Sequence, residues 1–287
     1  MKTLFLFLFP VIMFAQQNPI LLGKIDQAQL KENPYADWFS KGYESYIINP
    51  SVLADLKKIS KGKMDVQIFI GTWCGDTRRE LPRFIKILEA TGFTKNQVQI
   101  IALDSKAENY KRSPGKEEEG KVIYRVPTFV INENGKEINR IVEFPVFSLE
   151  KDLLKILKKD NYISNYASYK KLQEWLNQGI FLDENTSYRG LANILKNEIK
   201  SETELNSLGY VLLGKNLKKE AINVFFLNTF LYPYNYNVYD SLGESYLLNN
   251  QKDLALKNYK IALDLYPESK ELPLIIENLK KDIENNL

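Results

Sequence analysis

One thiol and no imidazole set the limits of what this chain can do. Cys74 is its single cysteine, and it has no histidine. Serine–histidine–aspartate and cysteine–histidine catalysis are therefore excluded, as are the usual zinc and copper centres and histidine-ligated haem. Zinc sites of four cysteines and protein-ligated iron–sulfur clusters lack the ligands they need, and no disulfide can form within one chain. No cofactor and no metal is expected. What is left for nucleophilic chemistry is Cys74 itself. It lies in Thr72-Trp73-Cys74-Gly75-Asp76-Thr77, between an apolar run and a helical pattern. A cysteine at such a junction meets unpaired backbone N–H groups and the positive end of the helix dipole. The thiolate is the reactive form, so this placement favours reactivity. Asp76 opposes a thiolate by like charge, while Arg78 and Arg79 favour it.

The elements that must position the thiol follow from periodicity. Val66 to Gly71 is β-rich and mostly apolar, as a buried central strand should be. From Arg78 to Ala90 the apolar residues Leu81, Phe84, Ile85 and Leu88 recur at spacings of three and four, which predicts a helix. A second buried strand is expected over Val98 to Leu103. Lys106 to Lys121 is charged and contains Ser113-Pro114-Gly115, so it reads as a helix end and a solvated connection. Thr128 to Ile131 and Glu137 to Glu143 are expected strands. Asn132-Glu133-Asn134-Gly135 joins them, and Asn-Gly is a hairpin signal because both residues tolerate positive φ. Phe147 to Leu157 reads as a closing helix. Upstream, Gln16 to Lys63 is mixed, with docking aromatics around Trp38 and a helical spacing from Pro50 to Ser60. The order strand, helix, strand, connection, hairpin, helix predicts a βαβ crossover with antiparallel strands added on one side.

These residues resemble thioredoxin, and most closely the thioredoxin-like proteins with a Trp-Cys-Gly-Asp-Cys motif. The resemblance covers about Met64 to Leu157. Trp73-Cys74-Gly75-Asp76 matches the motif, Pro82 falls where thioredoxins have a helix-kinking proline, and Val126-Pro127-Thr128 matches the cis-proline segment. It implies that Pro127 packs against the active-site loop and that the Val126 backbone pairs with an extended substrate. Trp73, Gly75, Asp76, Val126, Pro127 and Thr128 are then the substrate-binding candidates, and Cys74 with Thr77 the catalytic ones. The departures are as informative. Thr77 stands where the family has its second, resolving cysteine, and Ile68 where many thioredoxins have a buried acid. A mixed disulfide on Cys74 must therefore wait for an outside thiol. Thr77 could still hydrogen-bond the thiolate or an oxidised form of it. Trp73 is expected to pack over the thiol and shield it.

From about Tyr162 the periodicity is helical throughout. Leu208-Gly209 recurs as Leu242-Gly243, Ala221 as Ala255, Phe225 as Tyr259 and Pro233 as Pro267, each 34 residues on. This resembles the tetratricopeptide repeat. Two repeats are read, 202–235 and 236–270, preceded by a divergent helical unit over Tyr169 to Lys200 and followed by a capping helix from Leu272 to Asn286. The glycine and alanine let paired helices approach closely. The aromatics Phe225, Phe226, Phe230, Tyr232, Tyr234, Tyr236 and Tyr239 either pack between helices or line a concave peptide-binding face. Such repeats imply a protein partner.

The expected fold is thus a thioredoxin-like α/β domain over 16–160 and an all-α tetratricopeptide-type helical domain over 161–287. Residues 1–15 read as a signal peptide: Lys2 precedes the uncharged apolar run Leu4 to Phe14, too short to cross a bilayer core of roughly 30 Å, and Ala15 follows. A periplasmic or secreted protein is expected, without stable membrane insertion once the leader is cleaved. The net charge is +3 with both signs interleaved, which gives no basic face for nucleic acid. Three functions remain. In the first, Cys74 is a monothiol that exchanges with disulfides or captures oxidised thiols, on proteins or peptides, while the repeats recruit a partner. In the second, both domains form a noncatalytic interaction module of the envelope. The third is a thiol peroxidase, although peroxiredoxins place a threonine three residues before the reactive cysteine and here it comes three after.

Overall fold

The computed structural model describes residues 19–285, so the expected leader lies outside the described residues. A short strand β1, Gly23–Ile25, leads into helices α1, Ala36–Ser45, and α2, Pro50–Lys58. Asn49 starts α2: its side-chain oxygen accepts from the N–H groups of Ser51 and Val52, and Pro50 occupies the first turn, where no N–H is missed. Strand β2, Met64–Ile70, helix α3, Gly75–Ala90, and strand β3, Val98–Ala102, form the expected crossover, with β2 and β3 parallel. Strands β4, Thr128–Glu133, and β5, Lys136–Val142, form the hairpin, and helix α4, Leu149–Lys158, follows. Glu133 pairs with Lys136, so the turn is Asn134-Gly135 alone, at φ of 53° and 74°. That is the two-residue turn whose twist matches its strands.

The sheet is mixed and five-stranded, in the order β1-β3-β2-β4-β5. β1 was not foreseen; it has three residues, too few to carry an alternation, and it pairs antiparallel with β3. Alternation along the other strands divides the apolar residues between two faces. Val66, Ile68, Ile70, Ile100, Phe129 and Ile131 turn to one side, where they are buried together with residues of α1 to α4. Phe84 of α3 lies with its ring 4.3 Å from that of Phe129. Phe69, Ile101 and Val130 turn to the other side and cluster with Leu103, Ile123 and Val126.

Among the described residues, none of α1 to α4 contributes a side chain to that second cluster. The connection between β3 and β4 covers it, and this departs from the expected solvated segment. Lys111, Ser113 and Glu118 are buried, and the Ser113 hydroxyl lies 2.6 Å from a carboxylate oxygen of each of Glu117 and Glu118. Charged composition reads as solvated because the partner that buries this segment lies far along the chain. Tyr124, from the same connection, belongs to the core of the helical half, with Tyr110 and Val122 packed against it.

The helical half contains α5, Ser168–Asn177, α6, Tyr188–Leu195, α7, Thr203–Gly214, α8, Lys218–Leu231, α9, Tyr236–Leu248, α10, Lys252–Leu265, and α11, Leu272–Glu284. The pairs α7–α8 and α9–α10 repeat in backbone detail. Asn216 and Asn250, 34 residues apart, turn between paired helices at φ of 60° and 58°. Tyr232 and Tyr266 end the second helix of each pair with nearly the same dihedral angles. Gly209 faces the Phe225 ring so closely that an added Cβ would sit 2.4 Å from it. Most of the aromatics pack: Phe225 is buried, Tyr188, Phe226 and Phe230 form a cluster, and Tyr236 stacks on Tyr266. Tyr234 stands out in solvent.

Candidate functional site

Cys74 occupies the N-cap of α3 in an extended conformation, and its carbonyl accepts from the N–H of Arg78 at 3.1 Å. Serine, threonine or aspartate at this position would turn back and cap the first turn. The Cys74 side chain makes no such bond. Its Sγ instead lies 3.3 Å from the carbonyl oxygen of Val126. The thiol is half-buried, at the edge of the Phe69–Ile101–Leu103 cluster on the second face of the sheet. The first-turn N–H groups of α3 have no partner within the helix, which makes its start favourable for a negative sulfur.

The structure brings the candidate residues from two distant stretches to this point. The Val126–Pro127 peptide bond is cis. Val126, Pro127 and Thr128 are all buried. Thr128 opens β4, paired with Phe69 of β2, and its hydroxyl donates to the Arg125 carbonyl at 2.8 Å. Trp73 is half-buried, and its Nε1 donates to the Leu103 carbonyl at 3.0 Å. Gly71 makes room for that ring: an added Cβ would meet it at 2.5 Å. Gly75 is exposed.

Two expectations about the site change. Thr77 is fully buried, and its hydroxyl accepts from the Gly71 N–H at 3.3 Å, while the thiol bonds to the Val126 carbonyl. Its side chain therefore ties the helix to the end of β2 and does not bond to Cys74. The arginines are also engaged. Arg79 pairs with Asp76 at 2.6 Å and with Glu80 at 2.5 Å, and Arg78 donates to the Thr72 carbonyl at 2.9 Å. Asp76 and Arg79 thus largely offset each other in front of the thiol.

Three residues at the site were not picked out from the sequence. Tyr110 lies with its ring 5.8 Å from Trp73. Lys111 is buried behind it, with Nζ donating to the Tyr124 carbonyl at 2.7 Å. Arg125, next to Val126, pairs with Glu143 at 3.0 Å and donates to the Thr203 carbonyl at the start of α7 at 2.7 Å. Glu143 also receives the Tyr166 hydroxyl. Arg125 could have been noticed from its place beside Val126-Pro127. Tyr110 and Lys111 carry no such signal, because they sit in a stretch without periodicity. Together these residues fasten the Val126 loop to the helical half.

Among the described residues, no group of histidine, cysteine, aspartate and glutamate could hold a metal ion, and no helix is long and apolar enough to cross a membrane. No protein-family model matches the chain, and no curated protein matches it significantly.

Proposed function

We propose that this chain is an exported thioredoxin-like protein that works with one thiol, and that its helical half is a tetratricopeptide-type module recruiting a protein partner. The observation that carries the reading is the Cys74 sulfur, 3.3 Å from the Val126 carbonyl of a cis-proline loop, at the start of a sixteen-residue helix. The β2-α3-β3 crossover, the added hairpin and the 34-residue period of the helix pairs support the two family resemblances.

In the proposed reaction the Cys74 thiolate attacks one sulfur of a protein or peptide disulfide. A new S–S bond joins Cys74 to the target as the old one breaks. The other target sulfur leaves as a thiolate and takes a proton from solvent. With threonine at 77, the mixed disulfide persists until the thiolate of a separate thiol attacks it and expels Cys74. The Val126 carbonyl, held by the thiol in the free protein, becomes available to an extended target strand once the sulfur is engaged.

Trapping tests this. Protein isolated from its native compartment without reductant should carry covalent adducts by mass spectrometry, and Cys74→Ala should carry none. Wild-type protein with neither mixed disulfides nor sulfenate would sink the reading. A noncatalytic docking module is the second reading, favoured by the burial of Thr77 in the fold where a resolving thiol would stand. In that case Cys74→Ala keeps every partner.

A further inference from the structure

The residues on either side of Cys74 also line a cavity. Thr72, Trp73 and Arg78 form part of it, and Pro34, Tyr35 and Trp38 from the chain before β2 form more. Its volume is about 340 Å³. That is the small end of the range for ligand pockets, roughly 300–1,000 Å³, and suits a residue-sized group. Cys74 does not line it; the sulfur turns to the Val126 carbonyl instead. The cavity is therefore a place beside the reacting atom, not the place of reaction.

Helix packing sets its walls. Gly42 of α1 meets the Pro82 ring of α3 so closely that an added Cβ would stand 2.6 Å from it. Trp38 and Arg78 lie one turn before these two residues on the same helices. Tyr35, just before α1, is buried and donates its hydroxyl to the Pro19 carbonyl at 2.6 Å.

Two polar groups of the lining lack partners. Arg78 uses only Nε, on the Thr72 carbonyl at 2.9 Å; its Nη1 and Nη2 make no hydrogen bond or ion pair among the described residues. Thr72 is 3 % exposed, and its hydroxyl has no partner either. A buried hydroxyl left in that state is uncommon in folded proteins. Arg78 is also the only formally charged residue of the lining. A guanidinium anchored through Nε presents its two Nη groups as a fork, which matches the two oxygens of a carboxylate. The indole and proline rings around it offer contact to an apolar body.

We infer that this cavity is a recognition subsite for a carboxylate carried on or beside an apolar residue of the exchange partner. The carboxylate pairs with the Nη groups of Arg78 and accepts from the Thr72 hydroxyl, and the apolar residue lies against Trp38 and Trp73. The inference takes its purpose from the thiol-exchange reading, but binding in the cavity is separate from chemistry at the sulfur. The carboxylate has two possible sources: the free C-terminus of an apolar residue, or an acidic side chain next to one.

The test uses ligands without sulfur on the full chain. Trp38 and Trp73, two of the three tryptophans, line the cavity, so their fluorescence reports its occupation. N-acetylphenylalanine represents the free C-terminus, and acetyl-Phe-Glu-amide the acidic side chain. Saturable binding of either one upholds the inference and names the source. N-acetylphenylalanine amide, which has no carboxylate, should bind about tenfold more weakly than the tighter of the two, or not at all. Arg78→Met should weaken the carboxylate ligands by about tenfold, and Thr72→Val, which keeps the shape and the carbonyl, by about threefold. If the amide binds as tightly as both carboxylates, the inference is overturned on the wild type alone. No saturable binding of either carboxylate also overturns it, as does unchanged affinity in a folded Arg78→Met. Binding as expected, with no adduct ever formed at Cys74, would uphold the subsite and defeat the exchange reading instead.

Discussion

At the scale of single residues, the site turns on where Thr77 points. Its hydroxyl is bonded to Gly71 and its side chain is sealed in the fold, so it acts as a fastener of α3 and not as a partner of the thiol. It is nevertheless one turn along the helix from Cys74, and residues three apart on a helix face each other. Thr77→Cys should therefore restore a closable pair: mild oxidation should bring the free-thiol titre of the variant to zero, and trapped adducts should become short-lived. If the two thiols stay free under oxidant, the first turn of α3 does not bring them within disulfide reach. The motif around Cys74 was legible because it is contiguous and its residues are chemically distinctive. Lys111 was not, because a lysine in a charged stretch looks solvated, whereas here it is buried with its Nζ on the Tyr124 carbonyl.

At the scale of elements, the two helix pairs depend on small residues where helices touch. The Gly209 position leaves no space for a methyl group beneath Phe225. Gly209→Ala should cost about 1–3 kcal/mol through forced displacement of the ring, read as a lower thermal midpoint with little change at Cys74. The leucine–glycine and alanine positions gave away this repeat in the sequence, since close packing admits few residue types there. The hairpin was equally legible from Asn134-Gly135, where positive φ is needed at both positions. β1 escaped because its backbone bonds to β3 join residues far apart in the chain, Gly23 with Ala102 and Ile25 with Ile100. Gly214, at the end of α7, illustrates the same limit. An added Cβ there would stand 3.0 Å from the Ala107 carbonyl, so the helix presses directly on the turn that carries Tyr110.

At the scale of the whole molecule, the sheet half and the helical half share buried residues. Tyr124 leaves the connection beside the thiol and enters the core of the helical half, edge-on to Tyr169 at 5.1 Å. Arg125 reaches the start of α7. Tyr124→Ala should cost about 3–5 kcal/mol, in the range of a buried aromatic removed from a core. Calorimetry of the wild type should show one transition, and in the variant the two halves should begin to melt apart. Two transitions in the wild type would mean that the shared residues do not couple the halves.

The clasp formed by Tyr124 and Arg125 also gives the thiol a mechanical address. Under the proposed function, a partner seated on the helix pairs would act on the segment whose Val126 carbonyl, two residues after Tyr124, holds the sulfur. The segment is a loop, but Tyr124 is buried and Arg125 is bonded both to Glu143 and to the start of α7, which leaves it little slack. On that reading the helical half would be a handle as well as a recruiter, and what grips it would set how readily the sulfur lets go of Val126.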